Sequence, residues 1–245
     1  MIVVPLVLVV ALPALVIYSA SIFNLASFIG GGATQFITNF PPDLLPMSFD
    51  ERQTVVYAML VYFFAPFFLI IPLMVSSIIA SNSFAGEKER KTLEGLLYTP
   101  LTDQELILGK ILVAWIPTVG VSWLCFALYT FIINALGFDL FHYLFFPTAT
   151  WLILIFWLVP MVSFFSLSLI VLVSEKVTEV WEAQQISALL LVPLLGLVAS
   201  QASGAIYINT DMVFVAGFTF FILDVFVYWL IVKIFDRERM VTKLV

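Results

Sequence analysis

Residues 55–80 read VVYAMLVYFFAPFFLIIPLMVSSIIA, an unbroken apolar run without one charged side chain. A helix needs about 20 mostly apolar residues to cross the hydrocarbon core of a bilayer, and this run exceeds that. Further runs of the kind lie at about 1–23, 107–133, 148–173, 186–208 and 212–234. A membrane β-barrel would instead show alternating segments of about ten residues. Composition agrees: 63% of residues are apolar, 16% aromatic and only 11% charged, with a mean hydropathy of +1.15. The expectation is an all-α polytopic membrane protein with six spans forming a single transmembrane domain over 1–245 and no separate soluble domain.

Orientation follows from lysine and arginine, which are retained on the cytoplasmic side of the ends of spans. With both termini inside, Lys88, Arg90, Lys91, Lys110, Lys176, Lys233, Arg237, Arg239 and Lys243 fall in the cytoplasm and only Arg52 falls outside. The net charge of −6 says little about partners, and no basic surface large enough for nucleic acid exists, so nucleic acid is not expected as a partner. The apolar run from Met1 lacks the basic n-region of a secretory signal and is read as a retained first span. Cys125 is the lone cysteine and implies no disulfide framework.

The outer connections, residues 24–54, 134–147 and a tight link near Asn209 to Asp211, are modest. The first holds Gly30, Gly31, Gly32, Pro41, Pro42 and Pro46, all breakers of regular structure. Charge concentrates in the inner connection. The stretch GEKERKTLEGLLYTP, residues 86–100, carries six charged residues in fifteen positions. Leu93, Leu96 and Leu97 fall at i, i+3 and i+4 and give a short helix one apolar face. Glu87 precedes Lys91, and Arg90 precedes Glu94, at the four-residue spacing of helical ion pairs. A helix this short is marginal alone in water, so its leucine face calls for a cover: the membrane interface, the inner ends of the spans or a cytosolic partner. Pro100 ends it, and Thr102 or Asp103 caps the next helix.

The run FAGEKERKTLEGLLYTPLTDQELILGK, Phe84 to Lys110, resembles the cytoplasmic segment between the second and third spans of type 2 ATP-binding-cassette transporter permeases. The acidic–basic cluster, Thr92 to Glu94, the leucine pair, Thr99–Pro100 and Gly109–Lys110 carry the likeness. EAQQIS at Glu182 to Ser187 and FDRER at Phe235 to Arg239 are weaker echoes. The resemblance implies a permease that dimerises with a second copy or a related permease and sits on two cytosolic ATPase subunits, which bind ATP and Mg. It also implies export across the cell membrane, with the segment 84–105 as the coupling element. Its docking residues are then Glu87, Lys88, Glu89, Arg90, Thr92, Leu93, Glu94, Leu96 and Leu97. One departure is that the first span opens without the basic amphipathic helix with which family members usually begin.

The chain itself has no phosphate loop. Gly109 and Lys110 are adjacent, but Gln104 stands where the first glycine belongs and Ile111 where Ser or Thr follows. No catalytic residue, metal site or resident cofactor is expected: His142 is alone in an outer loop, and one cysteine and one histidine assemble neither zinc nor haem ligation.

Within the spans Asp224 stands out, roughly 18 Å from either end of the sixth at 1.5 Å per residue. An intramembrane carboxyl is a functional candidate by default, and here it is set against a packing role. An ion-coupled secondary carrier using Asp224 is the alternative to an ATP-driven exporter. An intramembrane hydrolase lacks a nucleophile and base. Pro13, Pro66, Pro72, Pro117, Pro160 and Pro193 permit bends in five spans. Gly196, Ser200 and Gly204 form a small-residue stripe for helix packing. Trp123, Trp151, Trp157 and Trp229 are read as facing lipid or the interface.

Overall fold

The computed structural model describes residues 5, 7–22, 40, 49–89, 102–174, 185, 191–203 and 205–234. Among them all regular structure is helical. The helices are α1 (Leu12–Ile22), α2 (Glu51–Tyr57), α3 (Phe64–Phe68), α4 (Ile70–Glu89), α5 (Asp103–Phe141), α6 (Ala149–Ile153), α7 (Val159–Ser174), α8 (Leu191–Ala202) and α9 (Thr210–Ile234). Four stretches are long and apolar enough to cross a membrane: Arg52–Ala80, Gln104–Phe141, Ala149–Leu172 and Thr210–Ile234. Val7–Ala20 and Leu191–Ala202 are apolar but shorter.

Proline explains the irregular turns. Three π-helical segments, Val7–Ala11, Ala58–Phe63 and Leu154–Leu158, each stand just before a proline, Pro13, Pro66 and Pro160. A proline donates no hydrogen bond, and its ring crowds the carbonyl four residues back. Widening the preceding turn relieves that crowding, and π-turns of this kind recur at bends. Pro117, by contrast, sits inside α5 without ending it.

Boundaries differ from the sequence reading in two places. α5 runs on to Phe141, so residues 134–141 are helix rather than outer loop. Gly137 does not break it, because the Phe145 ring packs there: an added Cβ would lie 2.8 Å from Phe145 Cε1. α5 ends one residue later at His142, whose φ of 61° is the left-handed turn usual for a helix stop. At its other end Thr102 is the capping residue: its N–H and Oγ1 meet Glu105 Oε2 at 2.9 and 2.7 Å. α8 stops at Ala202 rather than near 208. Ser203 Oγ donates to Ser200 O at 2.9 Å, and Ala205 N–H reaches the same carbonyl at 3.0 Å. Asn209 Oδ1 then accepts from Met212 N–H at 2.8 Å and opens α9.

The chain divides into two compact units. The first comprises Met1–Ile71, Ser122–Phe156 and Pro193–Phe214. Its centre is Trp151, wholly buried, which corrects the expectation that this indole faces lipid or the interface. Tyr129 stacks on it at 5.2 Å between ring centroids, and Phe68 and Phe146 meet it edge-on at 5.4 and 5.0 Å. Trp123 and Trp229 are exposed, in keeping with that reading.

The same unit shows what the widened turn before Pro66 does. Phe64 N–H reaches Met59 O, five residues back, in place of Leu60 O, and Pro66 cannot donate to Tyr62 O. Three successive carbonyls then accept from side chains of three other helices. Tyr129 Oη donates to Leu60 O at 2.7 Å, Trp151 Nε1 to Val61 O at 2.6 Å and Gln201 Nε2 to Tyr62 O at 2.7 Å. Gln201→Leu is expected to destabilise the purified protein by about 1 kcal/mol, the scale of an interhelical side-chain bond in a membrane protein. Thermal unfolding in detergent measures it, and a variant as stable as the parent would remove Gln201 from this clamp.

The second unit comprises Pro72–Val121, Trp157–Val192 and Val215–Val245. Its apolar cluster joins Ala80 of α4, Ile107, Ile111 and Ala114 of α5, Leu167, Ile170 and Val171 of α7, and Val227 and Ile231 of α9. Trp115 Nε1 donates to Pro160 O at 2.9 Å and ties α5 to α7. Gly217 is required where α9 meets the π-helical segment Leu154–Leu158, since a Cβ there would collide with the Trp157 indole.

Candidate functional site

Only one narrow face of α9 is buried. Val213, Gly217, Asp224, Val227 and Ile231 lie on it, separated by steps of three, four or seven, the spacing of a helix seam. Phe214, Phe218, Phe221, Ile222, Val225, Phe226 and Trp229 are exposed, as befits a helix with lipid on its other sides. Asp224 therefore belongs to the packed seam. Gly217 against Trp157 and Phe220 against Phe165, with ring centroids 5.3 Å apart, lie on one side of it along the helix. Val227 and Ile231 continue the seam on the other.

The Asp224 side chain is 5% exposed, and neither carboxyl oxygen has a hydrogen-bond partner among the described residues. Buried polar groups are ordinarily satisfied, so two orphaned oxygens on one side chain are an exception that calls for a reason. The same unit holds a second orphan, Ser168 Oγ of α7. It also holds hydroxyls that do have partners. Ser76 Oγ lies 2.8 Å from Ser166 Oγ and 3.0 Å from Leu73 O. Ser163 Oγ donates to Val159 O at 2.7 Å and Thr118 Oγ1 to Ala114 O at 2.8 Å. All five hydroxyl residues are fully buried.

The sequence alone does not single out this hydroxyl layer, although its signal is present. Ser163, Ser166 and Ser168 interrupt the apolar stretch Ala149–Leu172 within six positions. Serine in such a helix usually bonds its own backbone, as Ser163 does, and periodicity alone does not say which serines will face another helix. Chemically the layer offers donors and acceptors inside an apolar unit. Among the described residues no group of three or more His, Cys, Asp or Glu side chains is placed to hold a metal ion.

The other expected site residues are placed as follows. Glu87, Lys88 and Glu89 stand on α4, which runs unbroken from Ile70 to Glu89. Arg90, Thr92, Leu93, Glu94, Leu96 and Leu97 lie outside the described residues. Gly196 and Ser200 share a face of α8, where Ser200 Oγ donates to Gly196 O at 2.8 Å. No atom lies within 4 Å of where a Gly196 Cβ would sit, so nothing described in this chain packs on that position. Gly204 lies outside the described residues.

No curated protein and no solved structure matches the chain. A protein family does: the one described as ABC-2 family transporter protein matches residues 17–232. That range takes in the whole seam, the hydroxyl layer and the charged stretch at 86–100. The chain belongs to the ABC-2 transporter family, as a membrane component of a transporter.

Proposed function

We propose that this chain is the permease subunit of an ATP-driven exporter, crossing the cell membrane six times with both termini in the cytoplasm. Two copies of a cytosolic ATPase bind ATP and Mg and dock on it, and a second copy of this chain or a related permease completes the pathway. The observation that carries the reading is the family match over residues 17–232. The missing phosphate loop agrees with it, because a chain of this family without one needs its ATPase from elsewhere.

In this reading the docking residues are Glu87, Lys88, Glu89, Arg90, Thr92, Leu93, Glu94, Leu96 and Leu97. A docking helix needs an apolar anchor and charges that fix its register, which the three leucines and their flanking ions supply. The unbroken run of α4 to Glu89 supports a stiff connection, since a helix passes displacement along its axis better than a loop does. Leu96→Asp, or charge reversal at Glu87 and Arg90 together, is expected to release the co-purifying ATPase. Stimulated ATP hydrolysis should fall by about tenfold or more, the scale of losing a hot-spot contact. A variant that folds and keeps its ATPase at parental levels would sink the docking assignment.

A second reading, an ion-coupled carrier, draws on the orphaned carboxyl of Asp224. The two separate cleanly. Transport by the purified chain reconstituted alone, driven by an ion gradient and indifferent to ATP, would favour the carrier.

A further inference from the structure

Among the described residues of the first unit, α1, the start of α2 and the end of α5 enclose a cleft of about 310 Å³. Its walls are apolar: Ala14 and Ile17 from α1, Leu136 and Leu140 from α5. Two opposite charges complete it, Arg52 and Asp139, with the Tyr18 ring along one side. Arg52 opens the apolar stretch Arg52–Ala80, and Asp139 stands two residues from the end of Gln104–Phe141. Both charges thus stand near the ends of long apolar stretches.

The pair is held in place by its chain neighbours. Gln53, next to Arg52, donates from Nε2 to Leu140 O, next to Asp139, at 2.8 Å. Gln53 Oε1 accepts from Asp50 N–H at 3.0 Å, which fixes the amide that makes the link. Arg52 and Asp139 are both exposed, and no ion pair joins them to each other. The arrangement is one cation and one anion, side by side, over an apolar floor.

We propose that this cleft binds a phospholipid with a zwitterionic headgroup. The phosphate meets the Arg52 guanidinium, which suits a tetrahedral oxyanion, and the ammonium meets the Asp139 carboxylate. Small-ligand pockets start at about 300 Å³, so this one takes a headgroup and its glycerol but not two acyl chains. The chains then run out over Leu136 and Tyr18, both on the exposed surface. A headgroup with a phosphate but no ammonium would satisfy Arg52 and leave the Asp139 carboxylate without a cation, so the site discriminates by the ammonium. The inference stands apart from ATP coupling, because it concerns only the first unit.

The test is native mass spectrometry of the full-length, delipidated protein titrated with phosphatidylethanolamine or phosphatidylglycerol of identical acyl chains. The unmodified chain is expected to bind the ethanolamine lipid about tenfold tighter, the scale of one charge-assisted hydrogen bond. Asp139→Asn is expected to erase that preference by removing the ammonium's partner, which lowers the affinity for the ethanolamine lipid to that for the glycerol lipid. Arg52→Gln is expected to weaken both lipids. Leu136→Trp, a change on the exposed apolar wall that leaves both charges in place, is expected to weaken both by filling the cleft. It also keeps the test alive if Arg52→Gln does not fold. Equal affinity for the two lipids in the unmodified chain, a preference for the glycerol lipid, or parental binding by the variants would overturn the proposal.

Discussion

Trp151→Ala is expected to destabilise the protein by about 3–5 kcal/mol, the range for removing a large buried aromatic side chain. In a bilayer the transfer of the indole from water contributes little, since lipid is as apolar as the core. What is lost is packing: the stacked Tyr129 ring and the edges of Phe68 and Phe146 lose their common partner. Val61 O also loses the donor that reaches it at 2.6 Å. Trp151→Phe separates the two contributions. It keeps most of the ring and drops the N–H, and it is expected to cost about 1–3 kcal/mol. Thermal or denaturant unfolding in detergent ranks the variants. An alanine variant within about 1 kcal/mol of the parent would show that the cluster is not the core of the first unit.

Asp224→Leu is expected to have two effects of opposite sign. The apolar stretch Thr210–Ile234 inserts more readily, by about 3–4 kcal/mol, because a central aspartate is among the least favourable residues on insertion scales and leucine among the most favourable. Neither carboxyl oxygen has a partner to lose among the described residues, so the folded protein gains by the exchange as well. Function is expected to move the other way. If the carboxyl is retained for transport, ATP hydrolysis by the assembled complex should fall by about tenfold or more, with Asp224→Asn nearer to leucine than to the parent. Glycosylation-tagged insertion measures the first effect and hydrolysis by the complex the second. Improved insertion with unchanged hydrolysis would leave Asp224 a packing residue of the α9 seam.

Much of the fold is legible in the chain itself. The apolar runs at 148–173 and 212–234 match the stretches Ala149–Leu172 and Thr210–Ile234 almost residue for residue. A long apolar period has few alternatives to a buried helix. Ends are harder to read. The third apolar run reads as ending at 133, yet α5 passes on through Gly137, where the Phe145 ring packs beside it. Ser200 reads as part of a small-residue stripe, and the sequence does not show that its carbonyl accepts from Ser203 Oγ where α8 closes. Such ends depend on contacts of a few ångströms that no window of sequence encodes.

The candidate site shows the same division. Asp224 is visible in sequence as a charge within an apolar run, and insertion energetics make it conspicuous. Composition and residue order alone establish the class of the protein, the places of its four longest apolar helices, the absence of a phosphate loop from these residues and the family likeness of residues 84–110. Burial in lipid reads such features one residue at a time. Packing in three dimensions was needed to place Asp224 on the one buried face of α9, to bring Ser76 to Ser166 ninety residues away, and to set Tyr129, Trp151 and Gln201 on the carbonyls around the Pro66 bend. A polar group in hydrocarbon is settled by whichever partner another helix brings to it, and that choice is made in space.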